Sequence, residues 1–144
     1  IALLKSRLPW LHRELTTIAS IAFPVQPVLR DVWRAHVLFT GTRVTGLIDL
    51  SASATDHVAV DIARLTRSYF GADVCNIRDA VEVFQTLRPF DVNERRLLSV
   101  LDAATVLLSP VTWLRRRLES GSVASCSDDV IARLTELVEV AEAC

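Results

Sequence analysis

The sequence of 144 residues has no methionine, one lysine (Lys5) and four glycines, at positions 41, 46, 71 and 121. With so few glycines, neither G-x-G-x-x-G nor G-x-x-x-x-G-K-[ST] can be found, so the chain carries no glycine-rich phosphate loop. The cysteines Cys75, Cys126 and Cys144 lie far apart, are odd in number and form no C-x-x-C pair. That argues against a disulfide framework or a zinc site and for reduced thiols in a cytosolic protein. No apolar stretch reaches spanning length without a charge or a proline, and no signal peptide is visible, so no membrane role is expected. Neither sign of charge is in excess: 16 basic against 17 acidic side chains give a formal net charge of −1. A nucleic-acid partner would need a clustered basic face. The nearest thing is the run Arg115, Arg116 and Arg117, which reads as cations at a helix C-terminus. The lack of methionine, with apolar residues already at helical spacing from the first positions, implies that the natural start lies upstream of Ile1.

What is present is an ordinary globular balance, 51% hydrophobic and 23% charged, in a chain the size of one domain that can bury a core. Residues 2–22 read as a helix, with Leu3, Leu4, Leu8, Leu11, Leu15, Ile18 and Ala22 near a 3.6-residue period. Pro9 predicts a break or a fresh start near Trp10. Pro24 and Pro27 end the segment and make the approach to Asp31 extended. The β-prone runs Val37–Phe39 and Arg43–Ile48, joined by Thr40-Gly41-Thr42, predict a small hairpin. The polar stretch SASATDH (51–57) reads as a loop, with His57 a loop residue. A helix from Val58 to Phe70 ends at Gly71, and another over 73–88 closes at Pro89. A long helix over 93–119, apolar almost all round, reads as buried, with a kink or split at Pro110. SGSVASCSDD is a loop, and Ser127 or Asp128 can cap a last helix carrying Val130, Ile131, Leu134, Leu137 and Val138. The fold class is mainly α with a small β-hairpin, an α+β domain.

Chemistry is concentrated in Val28–Leu65. Asp31 sits in a loop, His36 follows five residues on, and the hairpin's second strand ends in Asp49, eighteen residues after Asp31. Asp61 then opens a helix as D-I-A-R-L. Two aspartates at the two ends of a rigid hairpin suit phosphoryl transfer. One orients the acceptor hydroxyl and takes its proton, and the other holds a cation against the phosphates. Kinases place a metal-binding residue five positions after the loop aspartate and a metal-binding aspartate after the hairpin.

On these residues the chain resembles the aminoglycoside phosphotransferase and choline kinase-like family, whose motifs are H-G-D-x-x-x-x-N, a hairpin, I-D, and a D-x-A helix. The resemblance is close over about 40 residues; the helical remainder agrees in general character. It implies that residues 1–144 are the C-terminal lobe of a protein-kinase-like phosphotransferase fold, which carries the catalytic loop and the acceptor pocket. The N-terminal nucleotide lobe, with its strand lysine, would lie upstream of Ile1. It implies Asp31 as catalytic base, Asp49 as metal ligand and Asp61 as the brace of the catalytic loop. ATP and Mg²⁺ would be the cofactors and a hydroxyl of a small molecule the acceptor. Leu29 replaces the motif's usual histidine. His36 replaces its asparagine, and an imidazole suits Mn²⁺ and other transition metals better than Mg²⁺.

Alternatives stay open for individual residues. Asp31 reads also as a turn residue or helix cap, and Asp49 as a strand end. His36 reads as a metal ligand, a packing residue beside Val37, or a hydrogen-bonding partner of the loop backbone. Trp33 reads as a core anchor of the loop, and Arg34 as a possible phosphate contact or a solvated side chain. Asp73, Asp79, Glu82, Asp91 and Glu94 read as solvated helix-face acids, or as partners for a cationic acceptor. Leu29 and His36 also fit a catalytically impaired kinase-fold module that binds or scaffolds.

Overall fold

The computed structural model describes residues 2–119, 131, 132, 134, 135 and 138–140. The chain order is α1 (Ala2–Ile18), β1 (Gln26–Val28), a single 3-10 turn (Arg34–His36), β2 (Val37–Thr40), β3 (Arg43–Leu47), β4 (Ala54–Asp56), α2 (Ala59–Phe70), α3 (Val74–Leu87) and α4 (Val92–Glu119). The architecture is α+β, mainly helical with two small antiparallel sheets. Described positions between 131 and 140 are helical, whereas Ser127, Asp128, Cys126 and Cys144 lie outside the described residues. No helix among the described residues is long and apolar enough to cross a membrane.

The hairpin stands where its β-branched runs and turn residues place it. β2 pairs with β3 antiparallel, Val37 opposite Leu47 and Leu38 opposite Gly46. The register then shifts, so that Phe39 faces Val44 and Thr40 faces Arg43, leaving Thr45 as the extra residue of a bulge. Gly41 opens the two-residue turn at φ 62, where a side chain would be strained. The second sheet corrects the expectation of a loop over 51–57. β4 lies within that stretch and pairs with β1, setting Gln26 opposite Asp56 and Val28 opposite Ala54. Three residues are too few to carry an alternating pattern, so only the pairing partner, distant in sequence, defines this strand.

The helices show two further differences. α1 runs unbroken through Pro9 and stops at Ile18, and α4 runs unbroken through Pro110. A proline removes one intrahelical hydrogen bond and crowds the preceding turn, yet packing on both sides can hold the helix. Near Pro110 the hydroxyl of Ser109 donates to the carbonyl of Thr105. Gly71 ends α2 as expected, at φ 55, with its N–H donating to the Arg67 carbonyl at 2.9 Å.

α1, α2 and α4 enclose the core: Leu11 and Ile18 from α1, Ala59 from α2, and Leu97, Val100 and Leu107 from α4, with Phe23, Leu98, Leu101 and Ala104 packed against it. Burying each large aliphatic side chain contributes about 1.5–3 kcal/mol. Ion pairs fix the helices laterally. Arg67 grips Asp102 with two parallel hydrogen bonds of 2.5 and 2.6 Å, joining α2 to α4. Arg96 reaches Glu14 at 2.7 Å, joining α4 to α1.

A second buried cluster corrects the reading of Glu94 as a solvated helix-face acid, and His57, in the connection from β4 to α2, is buried with it. Both are under 9% exposed. His57 Nδ1 accepts from the amide of Ala59 at 3.1 Å, so Nε2 carries the ring proton and donates to Glu94 at 2.8 Å. Arg88 donates to the same oxygen at 2.7 Å and lies 5.1 Å over the Phe90 ring. Phe23 and Phe90 each pack 5.7 Å from the imidazole, and Phe84 packs 5.6 Å from Phe90. Glu94 also exchanges hydrogen bonds with the Asp91 cap, amide to carboxylate in both directions at 2.8 and 3.0 Å, a capping box at the start of α4. The cluster fixes the entry to α2, the helix on which the candidate site leans.

Candidate functional site

The loop from Leu29 to His36 lies between β1 and β2. The Asp31 amide donates to the Leu29 carbonyl at 2.7 Å, closing a three-residue turn around Arg30 at φ 61. A γ-turn with positive φ at a non-glycine residue is strained. It persists because the Asp61 carboxylate, in the first turn of α2, accepts from the amides of Leu29 at 2.8 Å and Arg30 at 2.7 Å. Asp61 thus touches the loop immediately before Asp31.

The Asp31 side chain is about one-third exposed, and Arg64 of α2 donates to its Oδ1. Its Oδ2 has no hydrogen-bond partner among the described residues. One carboxylate oxygen is therefore held and the other is open.

His36 stands between the two sequence-predicted aspartates. Its Nδ1 lies 2.8 Å from the Asp31 carbonyl, and its Nε2 accepts the indole N–H of Trp33 at 2.6 Å. An Nε2 that accepts leaves the ring proton on Nδ1, which then donates to the carbonyl. The same Nε2 lies 3.7 Å from Asp49 Oδ2, too far for a hydrogen bond. Both ring nitrogens are engaged, so His36 as folded offers no lone pair to a cation. Trp33 is 36% exposed rather than a core anchor, because its N–H is spent on His36 at the surface of the loop.

Asp49 follows β3 with φ 58, a second non-glycine residue in the left-handed region, half-exposed, with Ser51 donating to its Oδ1 at 2.9 Å. Its hard carboxylate oxygens suit Mg²⁺. Among the described residues no group of three or more His, Cys, Asp or Glu side chains forms a cage for a metal ion. Mg²⁺ bound by one or two carboxylates and a substrate's phosphates needs none. Arg34 is exposed. Its amide donates to Ser68 Oγ at 2.9 Å, and its guanidinium has no partner among the described residues.

The structure thus brings Asp31, His36, Asp49 and Asp61 together around one loop, with the Arg34 backbone tied to the same helix. The roles of Arg64 and Ser68, and the hydrogen bond from the Trp33 indole to His36, escaped the sequence reading. The signal for two of them was present: Asp61, Arg64 and Ser68 have i, i+3 and i+7 spacing, which puts all three on one face of α2. The helix-face acids serve local structure. Asp73 caps α3 through the Asn76 amide at 3.0 Å, and Arg78 pairs with Asp79 and Glu82. A cavity of about 180 Å³ opens where α1, α2 and α4 meet, lined by Arg7, Trp10, Arg67, Asp102 and Leu107 among others. None of the loop residues lines it, so it is not where this chemistry is assembled.

A family profile described as the phosphotransferase enzyme family (APH) matches residues 1–98, about two-thirds of the chain. The chain belongs to that family. The match contains the whole loop, the hairpin, and α2 with its contact face. Membership carries phosphotransferase activity as the family's general chemistry. Comparison with curated proteins and with solved structures returns no match.

Proposed function

We propose that the protein works as the acceptor-activating lobe of an ATP-dependent small-molecule kinase in the cytoplasm, of the aminoglycoside phosphotransferase type. The observation that carries this reading is the Asp31 carboxylate, with Oδ1 clamped and Oδ2 open, in a loop whose His36 bonds the Asp31 carbonyl and approaches Asp49 to 3.7 Å. Asp31 Oδ2 accepts the hydroxyl proton while the acceptor oxygen bonds to the γ-phosphorus. The bond from that phosphorus to the β-phosphate oxygen breaks, and ADP leaves with the electron pair. Asp49 is the residue that would hold Mg²⁺, which neutralises phosphate charge when bound. Asp61 braces the loop through its two amides, and Arg34, free to turn, can meet a phosphate oxygen. Mn²⁺ or another transition metal would draw on His36 only once the Trp33 indole had moved off Nε2. The exposed apolar side chains of the hairpin, Leu38, Phe39, Val44 and Leu47, are what a nucleotide-binding lobe would cover.

The second reading, a kinase-fold binding module without turnover, draws on the engaged nitrogens of His36, which leave Asp49 without the second metal ligand that the motif's asparagine position would supply. Phosphoryl transfer from [γ-³²P]ATP with Mg²⁺ separates the two, assayed on the full-length protein against choline, homoserine, a 2-deoxystreptamine aminoglycoside and a monosaccharide. The expected outcome is turnover with at least one acceptor, reduced on the order of 100-fold or more in Asp31→Asn and in Asp49→Ala. Wild-type rates in both variants would sink the assignment. Tight metal-dependent ATP binding without turnover would favour the module.

A further inference from the structure

α2 acts on the loop as a ruler. Asp61, Arg64 and Ser68 occupy one face over two turns, and each meets a different part of the loop in order. Asp61 takes the amides of Leu29 and Arg30, Arg64 takes the Asp31 carboxylate, and Ser68 takes the amide of Arg34. Asp61 and Ser68 act on backbone. Arg64 alone acts on the side chain that would do the chemistry.

The Arg64 contact is incomplete as a structural ion pair. The guanidinium Nε–H is buried with no hydrogen-bond partner, and the interaction with Asp31 is made through Nη2 to one oxygen. Arg67, by contrast, presents its planar fork to both oxygens of Asp102 on the next face of the same helix. Arg64 leaves Oδ2 unbound at a side chain that is one-third exposed.

We propose that Arg64 is a positioning residue for phosphoryl transfer: it pins Asp31 Oδ1 so that Oδ2 alone faces the acceptor hydroxyl. This rests on the reading of Asp31 as the base. Arg64 fixes the carboxylate's rotamer before the acceptor arrives, and so removes a search that would otherwise be made on the way to the transition state. It binds neither nucleotide nor acceptor, so its loss falls on kcat and not on KM.

The test uses the full-length protein with MgATP, with transfer to the acceptors above and ATP hydrolysis, in which water is the acceptor, measured in parallel. Arg64→Gln is expected to lower kcat at least tenfold while KM for ATP stays within twofold. Arg64→Lys, which keeps the charge but not the planar donor geometry, is expected to fall between, threefold or more below wild type. On an Asp31→Asn background, Arg64→Gln is expected to add no further loss, because Arg64 acts through Asp31. Wild-type kcat in Arg64→Gln, a loss carried by KM, or a full multiplicative loss on top of Asp31→Asn overturns the proposal. Should Arg64→Gln fail to fold, Arg64→Lys decides: wild-type kcat there overturns it. An Asp31→Asn variant with wild-type turnover, or a protein with no turnover in either assay, instead refutes the phosphotransfer reading, and this proposal falls with it.

Discussion

Glu94 is held by three residues, His57, Arg88 and Asp91, inside a shell of aromatic rings. Burial pushes its carboxyl up, but the hydrogen bond from His57, the Asp91 amide, and the hydrogen bond and charge of Arg88 outweigh that and hold it at about 2, against an ordinary 4.5. A carboxylate lowered on folding stabilises the fold fully above its unfolded value and loses that contribution as pH falls through the folded one. The contribution is therefore complete above about pH 4.5 and disappears between there and about pH 2. Replacing Glu94 with glutamine removes the buried negative charge opposite Arg88 and puts an NH₂ donor where Oε2 accepts the Asp91 amide. The expected cost is about 3 kcal/mol at pH 7 in urea unfolding, with the gap to wild type narrowing as pH drops from 5 toward 2. At this scale the sequence places Glu94 near the start of a helix but shows none of its partners. His57 lies 37 residues away and reaches it only through the packing of α2 against α4.

Among the elements, α1 departs most from its sequence pattern. Pro9 should interrupt it, and the helix continues because Leu11 and Ile18, beyond the proline, bury their side chains against α4. The proline itself is exposed. Pro9→Ala restores a backbone donor and relieves the ring's crowding of the turn before it, without touching the core. It is expected to stabilise the chain by roughly 1–3 kcal/mol, seen as a higher melting temperature in circular dichroism. An unchanged or lower melting temperature would mean the helix is not held as described. The hairpin, by contrast, follows its local pattern, since β-branched runs and a glycine turn act over neighbouring residues. β4 does not, since it gains its strand geometry from pairing with β1, whose extended course Pro24 and Pro27 already favour.

In the whole molecule one cluster carries three helices, and the loop hangs from the middle one. Leu11 and Val100 are each 2% exposed and come from α1 and α4. Leu11→Ala removes contacts that link α1 to the rest and leaves a cavity, at an expected cost of about 2–5 kcal/mol. Circular dichroism and tryptophan fluorescence should report that loss as one shared transition, because the cluster is common to α1, α2 and α4. Separate transitions would instead show that α1 unfolds independently. The residues of the candidate site were legible where chemistry is written into spacing: Asp31, Asp49 and Asp61 stand at fixed intervals around a local hairpin. The state of each was not. The engaged nitrogens of His36 follow from the local fold of the loop around Asp31 and Trp33, whereas the strained turn at Arg30 and the clamp of Arg64 on Asp31 depend on laying α2 across a loop some thirty residues earlier. A linear pattern can place like spacings on one helix face. Only long-range packing decides which loop that face meets, and with it which oxygen of Asp31 is left open.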